Sequence, residues 1–425
     1  MKILEVLIAS FLFVVFSTAL SGLLFSVQSF LSWETARRAA FAQARTMLEE
    51  HSPEVIIEDV DNFTKRMKAL VGEVSLSVLV VDTSESEGQS SCRPNQESTK
   101  WINPDVSSYD LQDIAPGIVP VDIDLVGHYA FVASNASRAS SSDLFIFDIS
   151  DHENVELVSE IDTGPGLAAL SVAGNHVYVA NTSINGQLQI IDINDVYSPH
   201  LVSSYKLPGE YDDGATVGNA IFYKAGKIFL GTQKSQITEL HHIDVADPSH
   251  PREIGTYEIG NAVNDVFAFK NKVYVASPNT DELKSFRVSS EGSLSPFASY
   301  NNPGSTGNGK RLSLFLDTLY VGKTQTFARE ELLALTAASS SSPRLRFGIA
   351  LGSSVQGILG YGRIVFVLVR MASDNFIIYD TGGALPLRLN TAVNIPGLPL
   401  NFDCDRDTFA TISEGNGFIT FITPR

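Results

Sequence analysis

The sequence predicts a mainly β protein, a seven-bladed β-propeller preceded by one long N-terminal α-helix. Three observations predict it. One strand motif recurs seven times, from Tyr129-Ala130-Phe131-Val132-Ala133 to Thr408-Phe409-Ala410-Thr411, and steps of 47, 51, 45, 46, 46 and 43 residues separate the copies. No charge interrupts residues 6–28, and helix formers with apolar side chains every three or four positions continue to Leu48. The composition, 425 residues with 44% hydrophobic and 18% charged, supplies enough apolar side chain to offset the entropy of ordering the chain.

Charge excludes one class of function. The formal net charge is -18, from 30 Lys and Arg against 48 Asp and Glu. The first 51 residues balance four basic against four acidic side chains, so the excess lies beyond them. A body this acidic repels phosphate backbones, and no basic run offsets it, so no nucleic acid is expected as a partner. Two cysteines are too few for a disulfide scaffold or a four-cysteine zinc site.

The apolar run at 6–28 is long enough to span a hydrocarbon core of about 30 Å as a helix. A carboxylate, Glu5, stands at its edge, where it costs free energy unless a partner charge meets it. Proline is absent before Pro53, so one helix of about 75 Å is expected to run to residue 50. The opening Met1-Lys2-Ile3-Leu4-Glu5-Val6-Leu7-Ile8-Ala9 resembles the processed N-terminus of a type IV pilin or pseudopilin. The resemblance implies an N-methylated Met1 left by a prepilin peptidase, and a helix packed in a filament core. There Glu5 pairs with the terminal amine of a neighbouring subunit. Many pilins loosen this helix with a proline near the twentieth residue, where this chain has Ser21-Gly22.

Residues 1–52 are thus assigned to the pilin-like helix, with 1–28 as its apolar part. Residues 53–107 form a small α/β segment and linker: a second helix over 57–71, a strand over 74–81, and a polar stretch over 83–107 that is poor in apolar residues. The propeller occupies 108–425. A second strand follows most copies of the first, as in Leu144-Phe145-Ile146-Phe147-Asp148 and Leu188-Gln189-Ile190-Ile191-Asp192, and blades four and five show Arg287 and Ala334 in place of the aspartate. A period near 46 with several short strands per unit is the propeller signature. The pattern resembles the LVIVD-type repeat family, which implies fold and says little of activity. The last copy stops one strand short, so residues 108–114 are expected to supply the missing outer strand and close the ring.

Candidate sites are few. Asp403, Asp405, Asp407 and Glu414 have the spacing of a calcium loop, without its required glycine; Ca2+ is the only cofactor they suggest, and a solvated acidic turn is the alternative. Cys92 and Cys404 form an even pair in a chain that the pilin resemblance implies is exported to an oxidising compartment; a disulfide is expected, with two buried thiols as the alternative. Asn62, Asn135 and Asn181 fit the N-glycosylation pattern. No nucleophile elbow, zinc-protease motif or paired catalytic carboxylates emerge, so an enzyme is not expected.

The expected function is a structural subunit of an extracellular type IV pilus-like filament. It polymerises with its own kind through N-terminal helices, uses the pilus assembly machinery from the inner membrane, and displays the propeller to an unknown surface ligand, as in adhesion. A minor pilin or pseudopilin, at a tip or in a secretion system, and a monomeric membrane-anchored ligand-binding propeller are the alternatives.

Overall fold

The computed structural model describes the backbone of Val55–Asp59, Thr64–Val71 and Val74–Val81, and residues 92–425 apart from 136–140, 210–216, 279–280, 304–307, 316, 326–329, 337–342, 381–387 and 415–416. The helix expected over 1–52 lies outside the described residues. Among the described residues, no helix is long and apolar enough to cross a membrane. The chain divides into two compact units, Met1–Glu85 and Ser86–Arg425.

In the first unit, Val55–Asp59, Thr64–Val71 and Val74–Val81 form an antiparallel three-stranded sheet in sequence order. The helix expected over 57–71 is therefore corrected to parts of two strands. Asp59 pairs with Lys65 in one ladder, and Thr64 with Val81 in the next. So short a mixed run does not separate the periods of helix and strand. The valine-rich segment at 74–81 then decides the outcome, because it offers a pairing edge to its neighbour.

The second unit is a ring of seven four-stranded antiparallel sheets. Six blades are continuous, at 120–161, 167–205, 218–257, 265–300, 309–349 and 355–393. Within each, the first strand is innermost and the fourth outermost. Both faces of each sheet are covered by neighbouring blades, so the middle strands are mostly apolar on both faces rather than alternating, with buried exceptions such as Gln189, His241 and His242. Ile364–Val369 is buried at all six positions.

The seventh blade draws three strands from the C-terminus, Pro399–Asp405, Thr408–Ser413 and Phe418–Thr423, and its fourth from Asp105–Asp110. Asp110 faces Phe418, and Asp105 faces Thr423. The closing strand thus lies three residues ahead of the expected 108–114, and Leu111–Ile114 is a helical turn. Asp110 causes the break, because its Oδ1 accepts the Gln112 N–H at 2.9 Å and caps the turn. Leu111, fully buried, donates its N–H to the Gly417 carbonyl at 3.0 Å.

A buried acceptor latches the end of each continuous blade, always onto a backbone N–H twenty residues further on. Asp143 accepts from Thr163, Gln187 from Leu207, Glu239 from Ile259, Glu282 from Asn302, Glu331 from Leu351 and Asn375 from Ile395, at 2.8 to 3.0 Å. Each acceptor immediately precedes the third strand and is at most 1% exposed. Unlatched, the N–H at the blade exit would be a buried orphan, which costs about 1–3 kcal/mol. Glu282 also forms a buried ion pair with Lys323 of the next blade at 2.9 Å.

The latch makes a testable prediction in blade one. Burial pushes the Asp143 carboxyl up to about 6, against the hydrogen bonds from Thr163. A carboxyl raised on folding lets the unfolded chain ionise first. Stability therefore falls as pH rises from about 4 to about 6, by at most about 3 kcal/mol. Asp143→Asn supplies the neutral oxygen that Asn375 uses in blade six, and is expected to hold the turn while flattening this part of the pH profile. Asp143→Ala is expected to lose about 1–3 kcal/mol at acid pH and less toward neutral pH, where wild type has already lost the stability that the protonated carboxyl supplies. Denaturant melts of the three proteins at acid and neutral pH check both statements.

Candidate functional site

Each innermost strand has one edge with no partner in its own sheet, turned toward the axis of the ring. Unpaired edges are a liability, and here side chains from the preceding blade cap them. Asp122 and Asp124 accept from Leu170 N and Val172 N at 2.9 and 2.7 Å. Asp403 accepts from Leu125 N at 2.8 Å, Asp265 from Leu312 N at 2.8 Å, and Ser313 from Gly360 N at 3.0 Å. Where the preceding blade offers a donor, it takes a carbonyl instead. Asn219 donates to Val263 O at 2.6 Å, Asn264 to Gly309 O at 2.7 Å, and the Arg311 Nε to Gln356 O at 2.6 Å.

This capping draws three carboxylates together where blades seven, one and two meet. Asp124 hydrogen-bonds to Asp403, and burial, then the facing Asp403 charge, hold its carboxyl well above the usual range. Two carboxylates so placed share a proton. Burial also raises Asp122, whose Oδ1 accepts from the Asn401 amide. Elsewhere on the wall, burial lifts Asp265 to about 6 while Arg311 opposes the shift. Lys310, which donates to Gln356 Oε1 at 2.6 Å, falls to about 8 through burial and the neighbouring Arg311. Chemically, the Asp124–Asp403 pair stores a proton, but a backbone N–H fixes each carboxylate in place. Sequence reading passed over this pair because its members lie in different blades, joined only when the ring closes.

The second feature of this seam is a strap. Cys92 and Cys404 are joined by a disulfide, with Cα atoms 5.0 Å apart. Beside it, Arg93 N donates to Arg406 O at 3.0 Å, and Asn95 N bonds to the Asp407 carboxylate. The strap then buries Trp101 completely between blades six and seven, with its ring centroid 4.8 Å from Phe366 and 5.6 Å from Phe409. The indole Nε1–H donates to Asn95 O at 2.8 Å, so no polar atom of the plug is stranded. Arg425 N closes the far end on Lys100 O at 3.0 Å.

The remaining expected sites are placed as follows. Met1, Glu5 and Asn62 lie outside the described residues. The four calcium candidates do not converge, because a β-hairpin rather than a loop carries them. Asp403 faces the axis, Asp405 and Asp407 flank the turn at one end, and Glu414 pairs with Arg370 at 2.5 Å beyond the other. Among the described residues, no three His, Cys, Asp or Glu side chains are grouped to hold a metal. Asn135 is exposed. Asn181 is fully buried and its amide donates to Gln189 Oε1 at 2.9 Å, so this match to the glycosylation pattern has no room for a glycan in the folded blade.

Residues 120–163, 168–206 and 236–259 match the LVIVD repeat. Among solved structures, the chain is similar to virginiamycin B lyase from Staphylococcus aureus, at 13% identity and a TM-score of 0.56, over 76% of this chain and 100% of that one. A chain of the mitotic checkpoint complex is similar at 14% identity and a TM-score of 0.55, over 78% and 93%. At these identities the likeness is one of fold. No curated protein matches the chain.

The shared proton is testable. The Asp124 carboxyl, raised on folding, costs stability as pH rises past its unfolded value of about 4 and toward its folded one. Asp124→Asn keeps an oxygen for Val172 N and puts an N–H where the proton stood. The variant is expected to lose less melting temperature than wild type as pH rises above about 4, with the decline that remains coming from Asp143 and Asp265. Parallel profiles for the two proteins would show that the pair carries no proton across this range.

Proposed function

We propose that this chain is a structural, non-enzymatic subunit of an extracellular pilus-like filament, anchored by residues 1–52 and displaying its propeller to an external ligand. The observation that carries the reading is the strap. A propeller held by its N-terminal side would be pulled through the segment that also supplies its closing strand. Six residues of hydrogen-bonded strand are a weak place to apply tension. The Cys92–Cys404 bond precedes that strand, so force arriving along the chain enters the inner strand of blade seven and bypasses the closure. A disulfide also suits an exported protein.

The N-terminal sequence supports the rest. Glu5 at the edge of the apolar run 6–28 has its natural partner in the terminal amine of a second copy. Assembly is thus a homopolymer of helices, formed after a prepilin peptidase frees Met1 and the assembly machinery lifts the subunit from the inner membrane.

Glu5→Ala is expected to abolish or strongly reduce surface filaments, since removing one partner of a buried ion pair costs about 3–5 kcal/mol. The propeller is expected to stay folded. Electron microscopy of sheared filaments, with mass spectrometry of their main protein, checks assembly. Wild-type levels of filament from the alanine variant, or recovery of the chain only as detergent-soluble monomer, would overturn the reading. For the strap, the bond closes a loop with a sequence separation of 312 residues. Reduction is expected to lower the melting temperature, because the bond removes loop-closure entropy from the unfolded chain, on the order of 5 kcal/mol for a loop this long.

A further inference from the structure

The last residue of each third strand faces the first residue of the outermost strand across the ladder, and two blades leave the charges at this position unbalanced. Blade three sets Asp244 against Arg252, with the guanidinium 3.6 Å from the carboxylate. Blade six sets Asp380 against Arg388. Blade one sets Asp148 against Glu156, so the acid stands twice and the cation is missing. Blade five sets Thr336 against Arg344, so the cation stands without an acid. Like charges directly opposite on a strand pair are destabilising, yet blade one keeps them.

Both groups face solvent with their charge intact. Glu156 and Arg344 are exposed. Glu156 accepts from the neutral Asn154 amide at 3.1 Å, and among the described residues no cation pairs with it or with the exposed Glu160. Among the described residues no carboxylate meets the Arg344 guanidinium. The surroundings amplify the contrast. Residues 120–161 hold eight Asp and Glu against one Arg, whereas residues 309–349 hold six Lys and Arg against three Asp and Glu. Two blades separate one from five around one side of the ring and three around the other. The two outer edges therefore point in nearly opposite directions, and one chain cannot bring them together. Because Glu156 and Arg344 hold the same register position, they stand at the same level along the axis of the ring.

We infer that the outer edge of blade five docks onto the outer edge of blade one in a second copy of this chain, with Arg344 meeting Glu156 and Glu160. Two copies placed side by side with parallel axes bring the arginine level with the doubled acid. Each copy then keeps one edge of opposite sign free, so the contact is heterologous and repeats along a line or helix instead of closing as a pair. Leu345, 41% exposed beside Arg344, gives the contact an apolar centre. Exposed ion pairs are individually weak. The contact works where propellers are already held together at high effective concentration, so it rests on the filament reading and adds side-to-side order to the displayed rings.

Zero-length cross-linking of intact filaments tests the contact. Arg344→Lys keeps the charge and supplies an amine that a water-soluble carbodiimide joins to a touching carboxylate. Mass spectrometry of the cross-linked peptides is expected to find position 344 joined to Glu156 or Glu160, and adding Glu156→Gln and Glu160→Gln is expected to remove that product. In a second arm, Arg344→Glu stands opposite Thr336 and is expected to melt in detergent as wild type does. Its filament yield is expected to fall by up to about fivefold, the size of one exposed pair. Glu156→Arg in the same chain recreates the pairing of blade three and is expected to restore the yield. Filaments without either cross-link, or Arg344→Glu filaments at wild-type yield, overturn the contact and leave the filament reading standing. A wild-type chain recovered only as detergent-soluble monomer overturns both.

Discussion

The pairing of Asp105–Asp110 with Phe418–Thr423 is the interaction on which the remaining structure depends. Each blade buries both faces against its neighbours, so an open ring would expose two apolar sheets. Antiparallel strands from opposite ends of the unit close it, and the cost is the loop entropy of everything between them. Three further contacts reinforce blade seven. The disulfide to Cys404, the buried Trp101 and the Asp124–Asp403 hydrogen bond all lie along the junctions of blade seven.

Inside the ring, polar groups do the ordering and apolar groups supply the driving force. The middle strands of the blades form near-continuous apolar layers, which would tolerate a shift of one blade against the next. Buried acceptors twenty residues ahead of six blade exits, and side chains capping the axial edges of most blades, do not tolerate it. A slip would leave a buried carboxylate or N–H without its partner, and such losses exceed what a shifted apolar contact would recover. The latch also shows how loosely chemistry is specified once geometry is set. Asp, Gln, Glu and Asn all serve, because the N–H requires only an oxygen at the right place.

Variation among blades is then where function can reside. Blades one, two, three and six keep the aspartate that ends the third strand, blade five has Thr336 at that register rather than the expected Ala334, and blade four has Arg287. A scaffold held by latches and caps absorbs such a reversal without losing its fold.

Much of this was legible from the sequence because period is a local property. A motif returning near every 46 residues, with a last copy one strand short, determines a closed propeller and requires that a segment ahead of blade one complete it. What the sequence did not determine was anything set by neighbours far apart in the chain. The closing strand begins at Asp105 rather than residue 108 because the Asp110 side chain caps a helical turn. The stretch 57–71 is extended because a strand lies beside it to pair with. Asn181 looks like a glycan acceptor until Gln189 and Thr163 surround it. The Asp124–Asp403 pair has no signature in either of its segments. Strand register and ring closure bring those groups together, and only the tertiary structure sets both.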